Sequence, residues 1–191
     1  HLAAIAAKGL TLVKGEERFT VKCRAADDPA DFGPQDAVFI TLKAPSIDDM
    51  LPRLQPLLGP DTAVLPALNG IPWWYFHRHG GEHDGKPVRS ADPDGTIGRH
   101  IDPARIVGCV VYPAANLVAP GVVQVVEGRR FALGELDGTT PPRIEAIAAS
   151  LTKAGFKAPI TSDIRGEIWL KLLGNLSFNP ISALTHATLV D

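Results

Sequence analysis

Gly-Glu-Ile-Trp-Leu-Lys-Leu-Leu-Gly-Asn-Leu-Ser-Phe-Asn-Pro-Ile-Ser-Ala-Leu-Thr, residues 166–185, is the stretch on which the reading of this chain turns. It reads as one helix. Lys171, Asn175 and Asn179 recur every fourth residue and drift only about 80° in total, so they share one face. Ile168, Trp169, Leu172, Leu173, Leu176 and Phe178 surround them with an apolar surface that is expected to be buried. Asn is a mediocre helix former, so propensity gives no reason for two of them here. An amine and two amides on a mostly apolar helix suggest a small polar ligand held in a dry cleft. A solvated polar stripe is the competing reading.

The whole chain bounds what such a helix can belong to. Its 191 residues suffice for one large domain, or one domain plus part of another. A hydrophobic content of 45% and a charged content of 21% are ordinary for a globular protein. The formal net charge of −2 and the lack of a basic run argue against nucleic acid or an anionic membrane surface as partner. No apolar run approaches the roughly 20 residues of a membrane span, and no secretory signal is visible. Cys23 and Cys109 lack metal-ligand spacing and read as free thiols of a cytoplasmic protein. The chain opens on His1 in a helix-like run and stops at Asp191 just past another, so a fragment of a longer protein is expected.

Working outward along the chain, residues 1–8 read as a helix end stopped by Gly9. Residues 10–13 and 18–23 alternate as a hairpin across Lys14-Gly15-Glu16. Residues 36–44 carry a continuous apolar core, the pattern of a parallel strand buried on both faces. A helix signalled by Ser46 follows, kept short or irregular by Pro52 and Pro56. Residues 62–68 form a second buried strand that runs into Asn69-Gly70, which completes a right-handed βαβ unit. Ligands of open sheets bind beyond the carboxyl ends of the strands, where Lys43 and Asn69 stand on successive strands. Each also has an ordinary reading, Lys43 as a solvated strand end and Asn69 as half of an Asn-Gly turn.

Trp73-Trp74-Tyr75-Phe76 is read as core or a helix start under a lid, with a pocket wall as the other reading. Residues 77–104 are a polar, Gly- and Pro-rich surface excursion holding His77, His79, His83 and His100, without the spacing of a zinc motif, and no metal is expected. Residues 105–112 make a third buried strand. Residues 121–127 and 129–135 are expected to pair antiparallel around Gly128. A helix opens at Thr140-Pro141-Pro142 and closes at Gly155, and residues 157–161 form a short edge strand. Ser162 or Asp163 then caps the helix of the opening stretch.

Taken together, these pieces resemble the ketopantoate reductase (2-dehydropantoate 2-reductase) family. The marks are Thr41-Leu42-Lys43-Ala44, Leu68-Asn69-Gly70-Ile71, Gly108-Cys109-Val110-Val111-Tyr112 and Pro120-Gly121-Val122-Val123. The most specific is the run from Asp163 to Pro180, with its Lys-x3-Asn-x3-Asn-Pro core. The resemblance implies an α/β fold: a Rossmann-type NADP-binding domain over residues 1–161, with its first βα unit missing. Residues 162–191 would then be the first helix of an all-helical C-terminal substrate domain. It also implies NADPH-dependent reduction of ketopantoate to pantoate, a step toward pantothenate and coenzyme A.

Carried over by position, Lys171 is the general acid, Asn175, Asn179 and Asn69 bind substrate, and Lys43, Asn69 and the backbone at Ala114 lie along the cofactor. The partner expected is a small 2-oxo acid, with no nucleic acid and no membrane, and a homodimer is left open. The glycine fingerprint and the basic residue that selects NADP would lie upstream of His1. Leu189 stands where some members carry a further substrate-binding Asn. Two alternatives stay open: a related NAD(P)H-dependent reductase of another small 2-oxo acid, and a non-catalytic nucleotide-binding scaffold.

Overall fold

The computed structural model describes residues 1–188. Leu189, the position of the substituted Asn, lies outside the described residues. Helix α1 (Leu2–Lys8) ends at Gly9, whose φ of 83° no β-carbon residue adopts easily. Strands β1 (Leu10–Lys14) and β2 (Glu17–Val21) form the expected hairpin. Strand β3 (Gln35–Ile40) follows, and the chain to the next strand is a succession of 3₁₀ turns with one short helix, α2 (Leu51–Leu54). Pro52 lies in the first turn of α2 and Pro56 in the 3₁₀ turn that follows it, and the helix is short, as the sequence predicts. Strand β4 (Leu58–Pro66) pairs parallel with β3.

Residues 77–104 contain a short helix, α3 (Thr96–His100). This excursion is less superficial than expected. Ile97 and Ile101 are fully buried in the main core, and the buried Asp92 carboxylate accepts the backbone N–H groups of Ile97 and Gly98 at 3.1 and 3.0 Å. Strand β5 (Val107–Val111) comes next, then β6 (Ala114–Ala119), β7 (Val122–Glu127) and β8 (Phe131–Glu135). Helix α4 (Pro142–Lys153) and the long helix α5 (Ile164–Thr185) complete the described chain.

The antiparallel pair expected around Gly128 does not form. Strand β7 turns at Gly121 and pairs with β6, while β8 pairs with β5. The run Ala-Ala-Asn-Leu-Val-Ala of β6 holds three alanines and an asparagine, residues depleted in strands, so the closer partner of β7 was not visible. Gly128 is instead a crossing point. Its φ is +75°, and a β-carbon there would stand 2.9 Å from the Tyr112 carbonyl oxygen. One sheet therefore has the order β2-β1-β7-β6, with β1 and β7 parallel.

The second sheet carries the site. It is made of two strand pairs, β3–β4 parallel and β5–β8 antiparallel, linked by an isolated parallel bridge from Val64 to Ile106 just before β5. Residues 157–161 lie parallel along β8, with Phe131 and Leu133 donating to the carbonyls of Lys157 and Pro159. Alternation along the strands divides the interior in two. Val38, Ile40, Val64 and Val110 face a core with Trp73, Trp74, Tyr75 and α2, so the aromatic run is core as expected. Ala63, Leu65, Val107, Cys109 and Leu133 face α4 through Ile144, Ile147 and Ala148. Strand β3 departs from its predicted double burial. Phe39 is 38% exposed, because β3 is the sheet's outer strand and Ala37 and Phe39 line an open groove of about 700 Å³ beside α4.

Helix α5 is seated by two glycines. Gly108 and Gly134 are register partners on β5 and β8, and a β-carbon on either would fall 2.6 or 2.7 Å from the side chain of Ile164, itself 1% exposed. Asp163 caps the helix by accepting the Gly166 N–H at 2.8 Å. On the other face the buried Glu135 takes a two-pronged contact from Arg143 at 2.7 and 2.5 Å, which ties α4 to β8. Gly134→Ala is expected to destabilise the fold by about 1–3 kcal/mol, the usual cost of overpacking, measured by urea unfolding. Gly174→Ala, whose new β-carbon would meet only Phe178 at 3.9 Å, should stabilise it by about 0.5–1 kcal/mol in the same assay.

Candidate active site

Arg165 fixes how α5 leaves its seat. Its guanidinium donates to the carbonyls of Tyr75 at 2.8 Å, Leu136 at 2.8 Å and His77 at 2.6 Å. One side chain thus holds the helix, the aromatic segment and the end of β8 together, and burial pulls its proton affinity down. Trp169 adds a bond from Nε1 to the Tyr75 hydroxyl at 2.8 Å. With that end pinned, the second turn of α5 passes over the carboxyl ends of β4 and β5.

Lys171 is the residue this placement delivers. Its ammonium donates to Asn69 Oδ1 at 2.5 Å and to the Val111 carbonyl oxygen, and lies 5.7 Å from the centre of the Tyr112 ring. Asn69 follows β4, Val111 ends β5, and 102 positions separate Lys171 from Asn69 in sequence. Burial lowers the proton affinity of Lys171 below that of an ordinary lysine, with the Cys109 thiol opposing weakly. Burial also pushes Cys109 up to about 12, so it stays a neutral thiol. An ammonium has three donors, and two are engaged here. The third is available to a ligand oxygen.

The other anticipated residues are placed unevenly. Asn175 lines the small cleft formed with Leu68, Asn69, Gly70, Val110, Ile168, Lys171 and Leu172, and its amide makes no hydrogen bond among the described residues. Asn179 is exposed, one turn beyond that lining. Lys43 is exposed at the end of β3, and its ammonium makes no hydrogen bond or ion pair among the described residues. Ala114 opens β6 opposite Glu127 and does not line the cleft. Among the described residues no group of three or more His, Cys, Asp or Glu could hold a metal ion.

The apolar surface of α5 corrects an expectation. Ile168 is buried, but Trp169, Leu173, Leu176 and Phe178 are exposed, Leu173 by 62%. The helix runs 22 residues and only its first turns meet the sheet, so nothing among the described residues covers the rest. Sequence reasoning also assigned no role to Arg165, Tyr112, Glu167 or Arg130. Arg165 and Glu167 were legible only as charges in the first turns of a helix otherwise set to be buried.

A sequence model described as "Ketopantoate reductase PanE/ApbA" matches residues 1–73. The 2-dehydropantoate 2-reductase of Mesorhizobium japonicum is 49% identical over 189 residues, covering 99% of this chain and 58% of that protein. Over nearly its whole length the chain is similar to the ketopantoate reductases. A solved structure from Ralstonia solanacearum, assigned to the ketopantoate reductases, superposes with a TM-score of 0.91 at 39% identity, covering 97% of this chain and 58% of that one. The 2-dehydropantoate 2-reductase of Geobacter metallireducens gives 0.73 at 28% identity, covering 96% and 55%. The α/β fold is thus Rossmann-like, and the chain spans somewhat over half the length of the relatives it matches. No helix of the described residues is long and apolar enough to cross a membrane.

Arg165→Met should cost about 2–3 kcal/mol in urea unfolding, since three carbonyls lose a charged donor. Hydrogen exchange should quicken in the first turns of α5 while α4 keeps its protection.

Proposed function

We propose that this chain carries the catalytic lysine of an NADPH-dependent reductase that converts ketopantoate to pantoate. The observation that carries the reading is Lys171: an ammonium held by one neutral side-chain oxygen and one backbone carbonyl at the strand ends, with a donor to spare. Residues 1–161 belong to a Rossmann-type nucleotide-binding domain. Residues 162–191 begin a helical substrate domain, a division supported by the uncovered apolar face of α5. Cytoplasmic location belongs to the same proposal.

The residues at the strand ends fit a dinucleotide. The unpaired ammonium of Lys43 offers a charge to a phosphate or ribose, and Asn69 stands at the end of the next strand of the same parallel pair. A bound nicotinamide supplies the hydride. The remaining tasks fall to the chain. Lys171 donates its free N–H to the ketone oxygen, stabilises the negative charge that develops there and gives up the proton. Asn69 holds Lys171 through Oδ1, which leaves its amide N–H groups for substrate. Asn175 and Asn179 donate to the carboxylate or hydroxyl of the 2-oxo acid, and as neutral amides they leave the proton affinity of Lys171 low.

A general acid must be protonated to act. Because the proton affinity of Lys171 is depressed, activity falls as pH rises through a value below that of an ordinary lysine. In the full-length protein assayed with NADPH and ketopantoate, Lys171→Ala should lower kcat by about 10²- to 10⁴-fold and abolish that alkaline limb. An unchanged kcat removes the assigned acid. Turnover only with other 2-oxo acids favours the related-reductase reading, and NADPH binding without turnover of any favours the scaffold.

A further inference from the structure

Glu167 precedes Lys171 by one helical turn, the order and spacing that favour an ion pair on a helix surface. That pair is not made. Among the described residues Lys171 has no ion pair, and the Glu167 carboxylate is spent elsewhere. Glu167 Oε1 accepts from Arg130 Nη2 at 2.6 Å, and Oε2 accepts from the Tyr112 hydroxyl at 3.0 Å. Arg130 also lies 5.1 Å from the centre of the Tyr112 ring, the same ring that Lys171 approaches. The carboxylate is largely withdrawn from solvent, its side chain 16% exposed, so both oxygens are committed.

We propose that Arg130 and Tyr112 act as positioning residues that hold the Glu167 carboxylate off Lys171, so that its ammonium meets only neutral acceptors. The inference rests on Lys171 as the proton donor. Its surroundings can be followed element by element. Strand β5 and its end present Cys109, a neutral thiol, and Tyr112, whose hydroxyl burial and Glu167 keep protonated. The turn after β4 presents the neutral Asn69. Helix α5 supplies Glu167, and the approach to β8 supplies Arg130. Among the described residues of α5, Glu167 is the anion within a turn of Lys171, and it does not figure among the causes that set the proton affinity of Lys171. Freed, it would swing onto the ammonium and raise that affinity, and the acid would then release its proton reluctantly.

The test is a direct titration of Lys171 by ¹³C NMR in the full-length protein labelled at lysine Cε, with the resonance assigned by its loss in Lys171→Gln. Arg130→Met should move the Lys171 midpoint upward by about one pH unit, the lower end of what a nearby opposite charge does. Adding Glu167→Gln to that variant should return it. Tyr112→Phe keeps the ring and removes one hydrogen bond, and should shift the midpoint the same way by less. If Arg130→Met does not fold, the Tyr112→Phe titration and its reversal by Glu167→Gln decide. An unmoved or lowered midpoint overturns the proposal, as does a rise that Glu167→Gln leaves in place. The titration needs no turnover, so a failure of the reductase reading in the activity assay is seen separately.

Discussion

The architecture depends on a side chain resting on bare backbone. Ile164 packs where Gly108 and Gly134 face each other across β5 and β8, at a separation that no β-carbon tolerates. This close approach lets the first turn of α5 lie against the sheet. Arg165, one residue later, converts contact into direction by collecting three carbonyls from two other segments. Lys171 stands less than two turns further on, so its position over Asn69 and Val111 follows from the seat and the clamp. An amphipathic helix docked by hydrophobic area alone would slide and rotate more freely, and its ammonium with it.

The seat also explains how two weakly informative residues become a site. Asn69 is half of an Asn-Gly turn and Lys171 a lysine on a helix, and each is ordinary alone. Their meeting brings an ammonium and an amide oxygen to 2.5 Å at a place where burial lowers the lysine's proton affinity. Cys109 lies close enough to be felt electrostatically, yet stays neutral because it is buried facing α4. Neutral surroundings and partial desolvation act in the same direction on Lys171.

Much of this was legible in the sequence. Alternation and glycine punctuation marked the β1–β2 hairpin, and continuous apolar runs marked β4 and β5. The polar spacing of α5 singled out Lys171, Asn175 and Asn179, and the strand ends singled out Lys43 and Asn69; of these, Lys171 and Asn69 are the pair that meets. What escaped has physical reasons. Strand β6 is half alanine with one asparagine, residues that favour strands poorly, so β7 seemed to have only β8 to pair with. The apolar half of α5 reads as buried because periodicity records what a face prefers, whereas burial also needs a neighbour, and Leu173 and Leu176 have none among the described residues. Phe39 fails the same way on the outer strand β3. The Tyr112–Glu167–Arg130 contacts join positions up to 55 residues apart, and pattern within one segment carries no trace of them.

The central claim is that the seating of α5 delivers Lys171 as the group that meets the reacting oxygen. A crystal structure of the full-length protein with a nicotinamide cofactor and a 2-oxo acid tests it most directly. The account predicts the ketone oxygen roughly 3 Å from Lys171 Nζ, with Asn69 still on that ammonium and Ile164 still on the two glycines. A substrate oxygen bound away from Lys171, with the lysine turned to solvent, would contradict it.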